Sequence, residues 1–174
     1  MPILFTAIEI PELIQASIME LRPKSIGIKG LTDCHITLHY IGKVNNNEAN
    51  LIQTSLLKVK TKSYSQSING VGVFNRVKAP HILWAGVNKC EELLNLHESV
   101  GQCLQEVGQK LESRQYRPHI TVARIKKTNK DLVESYINKY SDFNTGFYVR
   151  SFSLFSSERT KAGSVYTKLH SYDF

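Results

Sequence analysis

The hydrophobic pattern divides the chain into short apolar or alternating runs and a few stretches with helical spacing. Residues 3–10 (Ile3-Leu4-Phe5-Thr6-Ala7-Ile8-Glu9-Ile10) are apolar and β-branched enough for a buried strand. Pro11 then opens a helical pattern through Leu13, Ile14, Ile18 and Leu21, since proline in a first turn gives up no helical hydrogen bond. Arg22 to Gly30, carrying Pro23, Gly27 and Gly30, reads as a loop. A strand follows from His35 to about Ile41, ended by Gly42, and Asn45-Asn46-Asn47 caps a helix from Glu48 to about Val59. Residues 64–74 and 81–88 read as a hairpin joined through 75–80. Glu91 to Gly108 is the strongest helix, with Leu93, Leu94, Leu96, Val100, Leu104 and Val107 forming one apolar face. Pro118 forces Arg117 into extended geometry and leads into a strand at His119. Thr128-Asn129 caps a helix over residues 130–140, and 147–156 and 164–170 read as two last strands around a turn at 159–163. The order β-α-β-α-β-β-α-β-α-β-β predicts an α+β fold with antiparallel pairing. No linker or break in composition divides it, so one domain is expected over residues 1–174.

One short pattern occurs twice. His35-Ile36-Thr37-Leu38 returns as His119-Ile120-Thr121-Val122, 84 residues later. Each copy starts an apolar strand and is followed by a capped helix, which predicts a pseudo-duplicated molecule of two related halves. Residues two apart on a strand share a face, so His35 projects with Thr37, and His119 with Thr121. Two imidazoles titrating near neutrality can serve as one base and one acid. Such a pair suits phosphodiester cleavage, in which an attacking oxygen loses a proton and a leaving oxygen gains one. The hydroxyls of Thr37 and Thr121 can donate to the non-bridging phosphate oxygens. Strict alternation sends Arg124 to the face opposite His119, so a role for it there requires a bulge or bend. By the same alternation His39 shares a face with His35. His81, His97 and His170 are read as surface or core residues with no role.

Charge sharpens the picture. The net charge is +7, and residues 110–130 hold seven basic side chains against one acid. A basic field around the second motif suits a phosphorylated or polyanionic ligand. No apolar run is long enough to span a bilayer and no leader is expected. The three widely spaced cysteines, Cys34, Cys90 and Cys103, suit a reducing, cytoplasmic setting, each as a small buried hydrophobe. The histidines show no HExxH spacing; His35 and His39 could offer a two-histidine ligand pair, but no carboxylate accompanies either motif, so neither a metal nor another cofactor is expected. Gly70-Val71-Gly72 lacks the third glycine of a dinucleotide loop. Tyr40, Phe74 and Phe155 are the aromatic candidates for base stacking, although each is expected in the core.

The paired His-x-Thr motifs resemble those of the 2H phosphoesterase superfamily, and the order of features resembles its RNA 2′,3′-cyclic phosphodiesterase branch, also called the 2′-5′ RNA ligase family. The resemblance runs through Phe5–Pro11, the first motif with Ile41-Gly42, Ile82–Val87, Tyr116–Arg124, Phe152–Ser157 and Tyr166–Leu169. It departs at His81, where the family frequently carries an arginine. The resemblance implies a bilobal fold with two antiparallel sheets lining a central cleft and helices outside. It implies metal-independent opening of RNA 2′,3′-cyclic phosphate ends, or cyclic nucleotides, to 2′-phosphomonoesters; a monomer is the simpler expectation for a chain with its own cleft. It also implies His35 as proton donor to the departing 3′ oxygen, His119 as the base activating water, Thr37 and Thr121 as phosphate holders, and Arg124 as added charge. The residues alone do not fix which histidine is acid and which is base. The alternatives are 2′-5′ ligation at the same site and an idle RNA-binding module.

Overall fold

The computed structural model describes residues 1–23, 27–30, 34–76, 79–127, 130–160 and 163–174. In chain order the elements are β1 (Ile3–Glu9), α1 (Glu12–Glu20), β2 (Gly27–Gly30), β3 (His35–Lys43), α2 (Asn46–Ser55), a 3-10 turn (Leu56–Lys58) and β4 (Tyr64–Arg76). There follow β5 (Ala79–Val87), α3 (Glu91–Glu106), β6 (His119–Lys127), α4 (Lys130–Lys139), β7 (Asn144–Val149), β8 (Ser151–Arg159) and β9 (Ser164–Asp173). The strands form one sheet in the order β7-β4-β5-β6-β3-β1-β8-β9, with β2 also pairing β6. All the pairings are antiparallel.

This sheet is the expected pair of sheets, joined at its middle. β6-β5-β4-β7 and β3-β1-β8-β9 are two four-strand halves, and β3 meets β6 through a single register pair, Ile36 with Ile120. A β-α-β-α run repeats across them, β1-α1-β3-α2 in one half and β5-α3-β6-α4 in the other, apart from the inserted β2. Each half thus ends at the junction with its own His-x-Thr strand.

Three expectations need correction. Residues 27–30, read as loop, form β2 along β6, because the backbone finds there the partners that its glycine-containing sequence does not advertise. Residues 147–156, read as one strand, belong to two: the chain leaves β7 at Val149, passes Arg150, and enters β8 at the far side of the sheet. An unbroken apolar pattern cannot reveal such a crossing, since both strands present the same alternation. Gly42 does not end β3; it lies within it at φ 95°, a conformation glycine adopts without penalty. The expected cap at Thr128-Asn129 lies outside the described residues, as do parts of the turns at 75–80 and 159–163 and of the 22–30 segment.

The helices follow from local chemistry. At the start of α2 the Asn45 side chain accepts from the Glu48 amide at 2.9 Å while the Glu48 carboxylate accepts from the Asn45 amide at 2.7 Å. This reciprocal cap uses two donors the helix leaves unpaired. α3 buries Leu93, Leu96, Val100 and Leu104 completely, whereas Leu94 is partly exposed, so its apolar face is narrower than the sequence suggests. On α1 Leu13 is exposed, and Ile18 is the side chain that anchors the helix. The core lies between these helices and one face of the sheet. The other face is left for chemistry. Cys34 and Cys103 are buried, as expected, and Cys90 is partly exposed.

Candidate functional site

The junction of the halves organises the site. Ile36 and Ile120 pair across it and are fully buried on the core side. Their neighbours on either side, His35, Thr37, His119 and Thr121, are all partly exposed on the opposite face. Continuing the antiparallel register outward sets His35 toward Thr121 and Thr37 toward His119. The sequence-predicted quartet is therefore brought together on one face, with each motif's histidine beside the other motif's threonine.

Both strands break alternation at the same place. On β3, Ala7 and Thr6 of β1 face Thr37 and His39, leaving Leu38 as an extra residue. On β6, Trp84 and Leu83 of β5 face Thr121 and Ala123, leaving Val122 as the extra one. A bulge reverses the facing of everything beyond it. After Val122 the buried positions become Ala123 and Ile125, and Arg124 turns outward on the same side as Thr121. The bend that a role for Arg124 requires is thus present. The Val122 carbonyl, displaced from regular pairing, accepts from Arg22 Nε at 3.2 Å.

The first bulge sends His39 the other way and corrects its expected placement. It does not join His35. It stacks on His97 of α3, with ring centroids 4.1 Å apart, and His97 in turn stacks on Tyr116 at 3.8 Å. His39 Nε2 donates to the His97 carbonyl at 2.8 Å, and the His39 amide donates to Thr6 Oγ1 at 3.1 Å. Burial lowers the pKa of both imidazoles. His97 is pushed down to about 4, by burial first and by its neighbour His39 second. Groups neutral when folded but charged when unfolded let the unfolded chain take up protons as pH falls. Stability should therefore decline from the ordinary histidine value of 6.5 down to about 4, and this contribution levels off below. Thermal unfolding at about pH 7 and about pH 5 checks this: His97→Phe, which keeps a ring in the stack, should lose less stability on acidification than the wild type. An equal acid shift in both proteins would show that His97 is not the source.

Each motif histidine has an aromatic edge. His35 lies 5.1 Å from the Phe5 ring and 5.2 Å from Tyr166, which stands perpendicular to it. His119 lies 4.8 Å from Phe74, also near perpendicular. His119 Nδ1 donates to the Arg117 carbonyl at 2.8 Å, which fixes the tautomer and leaves Nε2 as the acceptor. Burial lowers the His119 pKa, with the Arg117 carbonyl opposing in part, so the ring is neutral at pH 7. Phe74 packs 5.5 Å from Trp84, whose indole occupies the space a Cβ on Gly72 would fill. That is the use of the second glycine in Gly70-Val71-Gly72.

Three aromatic candidates read as core lie nearer the surface than expected, and Phe5, Glu9, Tyr166 and Lys168 were not singled out by the sequence. Tyr40, expected in the core, is 55% exposed. Phe74 and Phe155 are partly exposed. Glu9 and Lys168 pair at 3.0 Å, with Ser153 Oγ also donating to Glu9. Together with Phe5, His35, Phe155 and Tyr166 they line a cavity of about 190 Å³. The signal was present in β9, where Tyr166 and Lys168 share a strand face beyond the expected turn, but nothing in the sequence places β8 beside β1. Arg114, counted in the basic field, is held by Glu112 at 2.7 Å. Among the described residues no three His, Cys, Asp or Glu side chains gather into a ligand set, and no helix is long and apolar enough to cross a membrane.

The duplicated strands, the shared His-x-Thr face and the flanking helices form one two-histidine site, and comparison with known proteins shows the class of protein it belongs to. Residues 86–166 match the family described as LigT like Phosphoesterase. An RNA 2′,3′-cyclic phosphodiesterase of Archaeoglobus fulgidus is 28% identical over 176 residues, spanning 98% of this chain and 99% of that protein. One from Methanothermobacter thermautotrophicus is 31% identical over 140 residues, spanning 78% and 75%. In fold, the Thermus thermophilus protein TT0787 superposes with a TM-score of 0.83 at 23% identity, covering 99% of this chain and 97% of that one. LigT of E. coli complexed with 3′-AMP gives 0.80 at 19% identity, covering 100% and 99%. The chain belongs to the LigT-like phosphoesterase family.

Proposed function

We propose that the protein is an RNA 2′,3′-cyclic phosphodiesterase whose residues 1–174 act as one domain of two halves, working as a cytoplasmic monomer. The cyclic phosphate sits on the junction face between the two motifs. His119 Nε2 takes a proton from water, whose oxygen attacks phosphorus; the bond to the ribose 3′ oxygen breaks, and His35 gives that oxygen a proton. The product is a 2′-phosphomonoester with a free 3′ hydroxyl. Thr37 and Thr121 donate to the non-bridging oxygens, and Arg124 adds positive charge where negative charge develops. The observation that carries this reading is the Ile36–Ile120 pair, which sets both His-x-Thr faces side by side. A second observation favours His119 as base: its Nδ1 is committed to the Arg117 carbonyl and its ring is held neutral.

The test is hydrolysis of a short RNA ending in a 2′,3′-cyclic phosphate, in EDTA. Turnover to a 2′-phosphate is expected. Turnover abolished by EDTA and restored by a divalent cation would overturn the metal-independent reading. Formation of a 2′-5′ joined product from the same end and a 5′ hydroxyl RNA would move the function to ligation. Salt-sensitive RNA binding with no turnover would leave a binding module.

A further inference from the structure

The acid–base direction proposed above places the reacting ribose. His35 protonates its 3′ oxygen while water attacks in line from the His119 side, so the ribose stands on the His35 side. Glu9 lies opposite His35 across β1 and β3, and two cavities meet at Glu9 and Gln15. The inner one borders His35. The outer one, of about 390 Å³, lies between the start of α1 and the crossing from β7 to β8. Its volume falls within the roughly 300–1,000 Å³ over which pockets hold small molecules. The reaction itself leaves it unused. One wall carries Tyr148 and Arg150. Tyr148 is 52% exposed, and its hydroxyl donates to the Ser63 carbonyl at 3.3 Å, which sets the ring in place. The Arg150 guanidinium lies over that ring, 5.5 Å from its centroid, and the Arg150 carbonyl accepts from the Phe174 amide at 3.0 Å, tying the crossing down.

Resting on that reading, we infer that the outer cavity is the subsite for the nucleotide next to the reacting end, so that the protein acts on a single-stranded RNA end in preference to a free cyclic nucleotide. Lys58, Arg114 and Lys168 are each held by a carboxylate, whereas Arg150 has no carboxylate partner among the described residues. A guanidinium over a ring commits its face, while its N–H donors project in its own plane and stay free for a phosphate. The facing rim carries Glu12, exposed in the first turn of α1, which repels a phosphate. The internucleotide phosphate therefore goes to the Arg150 edge, and the penultimate base lies against Tyr148. A cation beside an aromatic ring follows an RNA strand without reading its sequence, because every base has a π face. The cavity has room for one nucleotide, so the gain stops at the second. An end held in a duplex cannot enter, since its penultimate base is stacked and paired.

The experiment compares kcat/KM for adenosine 2′,3′-cyclic phosphate with that for a dinucleotide and an octanucleotide ending in the same cyclic nucleotide, across a range of salt. Calorimetric binding of adenosine 2′-phosphate and of the dinucleotide 2′-phosphate is measured in parallel. The dinucleotide is expected to exceed the mononucleotide by at least about tenfold, and the octanucleotide to add less than about threefold more. The logarithmic salt slope should be steeper for the dinucleotide by about 0.7, the share of one phosphate on a single strand. Arg150→Met should remove that extra slope and most of the advantage, and Tyr148→Ala should reduce the advantage while keeping the slope. Equal kcat/KM for mononucleotide and dinucleotide overturns the inference. So does an advantage that survives both substitutions, a variant that lowers both substrates by the same factor, or a blunt duplex end that reacts as well as the single strand. Hydrolysis with no gain from the second nucleotide sinks the subsite and leaves the reaction. Arg150-dependent binding of the dinucleotide 2′-phosphate, tighter than that of adenosine 2′-phosphate but without any hydrolysis, sinks the reaction and leaves the subsite.

Discussion

His119→Ala lowers kcat/KM for a 2′,3′-cyclic phosphate end by about 10²–10⁴-fold, the usual worth of a placed general base. The pH profile should change in a definite way as well. In the wild type the acidic limb records protonation of the base, and burial holds the His119 pKa below its ordinary value of 6.5. Activity should therefore persist into mildly acidic solution and fall only as pH drops through that lowered value. In His119→Ala this limb disappears, while His35→Ala, with a loss of similar size, retains it and loses the basic limb instead. Rates across the pH range, with circular dichroism at each point to separate acid unfolding, provide the check. If His119→Ala keeps the wild-type acidic limb, another group is the base, and the assignment of roles collapses with it.

The duplication was legible in the sequence because its signal is local. His35-Ile36-Thr37 and His119-Ile120-Thr121 each fix a strand, a face and a pair of functional groups within three residues. What lay between distant segments was not. The single Ile36–Ile120 pair that joins the halves depends on how two strands 84 residues apart meet. The bulges at Leu38 and Val122 arise from pairing with β1 and β5, so counting by twos put Arg124 and His39 each on the wrong face. The aromatic wall beside His35 draws on β1, β3, β8 and β9, and no periodicity announces that four such strands are neighbours. Composition misled only mildly: Tyr40 looks like a core residue because it lies in an apolar strand, yet the bulge before it turns it outward.

Tyr116→Phe should cost activity far more than stability. The two motif strands share one register pair, which leaves their separation weakly fixed by the backbone. The Tyr116 hydroxyl supplies a second tie, donating across the junction to the Thr37 carbonyl at 3.1 Å. The same short segment continues to Arg117, whose carbonyl holds His119 Nδ1, and to buried Pro118, so residues 116–119 grip one motif while orienting the other. Phenylalanine keeps the stack on His97 and removes only the hydroxyl, so the stability loss should be about 1 kcal/mol, as for one hydrogen bond. Catalysis is less forgiving, because a displacement of about 1 Å between reacting groups can cost about 10²-fold. The expected result is kcat lowered by about tenfold to a hundredfold, with KM changed by less than about threefold, since the phosphate contacts on each half survive. A purely structural tyrosine would instead lower the unfolding midpoint and leave kcat per folded molecule intact. That outcome would assign the spacing of the two histidines to the Ile36–Ile120 pair and the packed core beneath it.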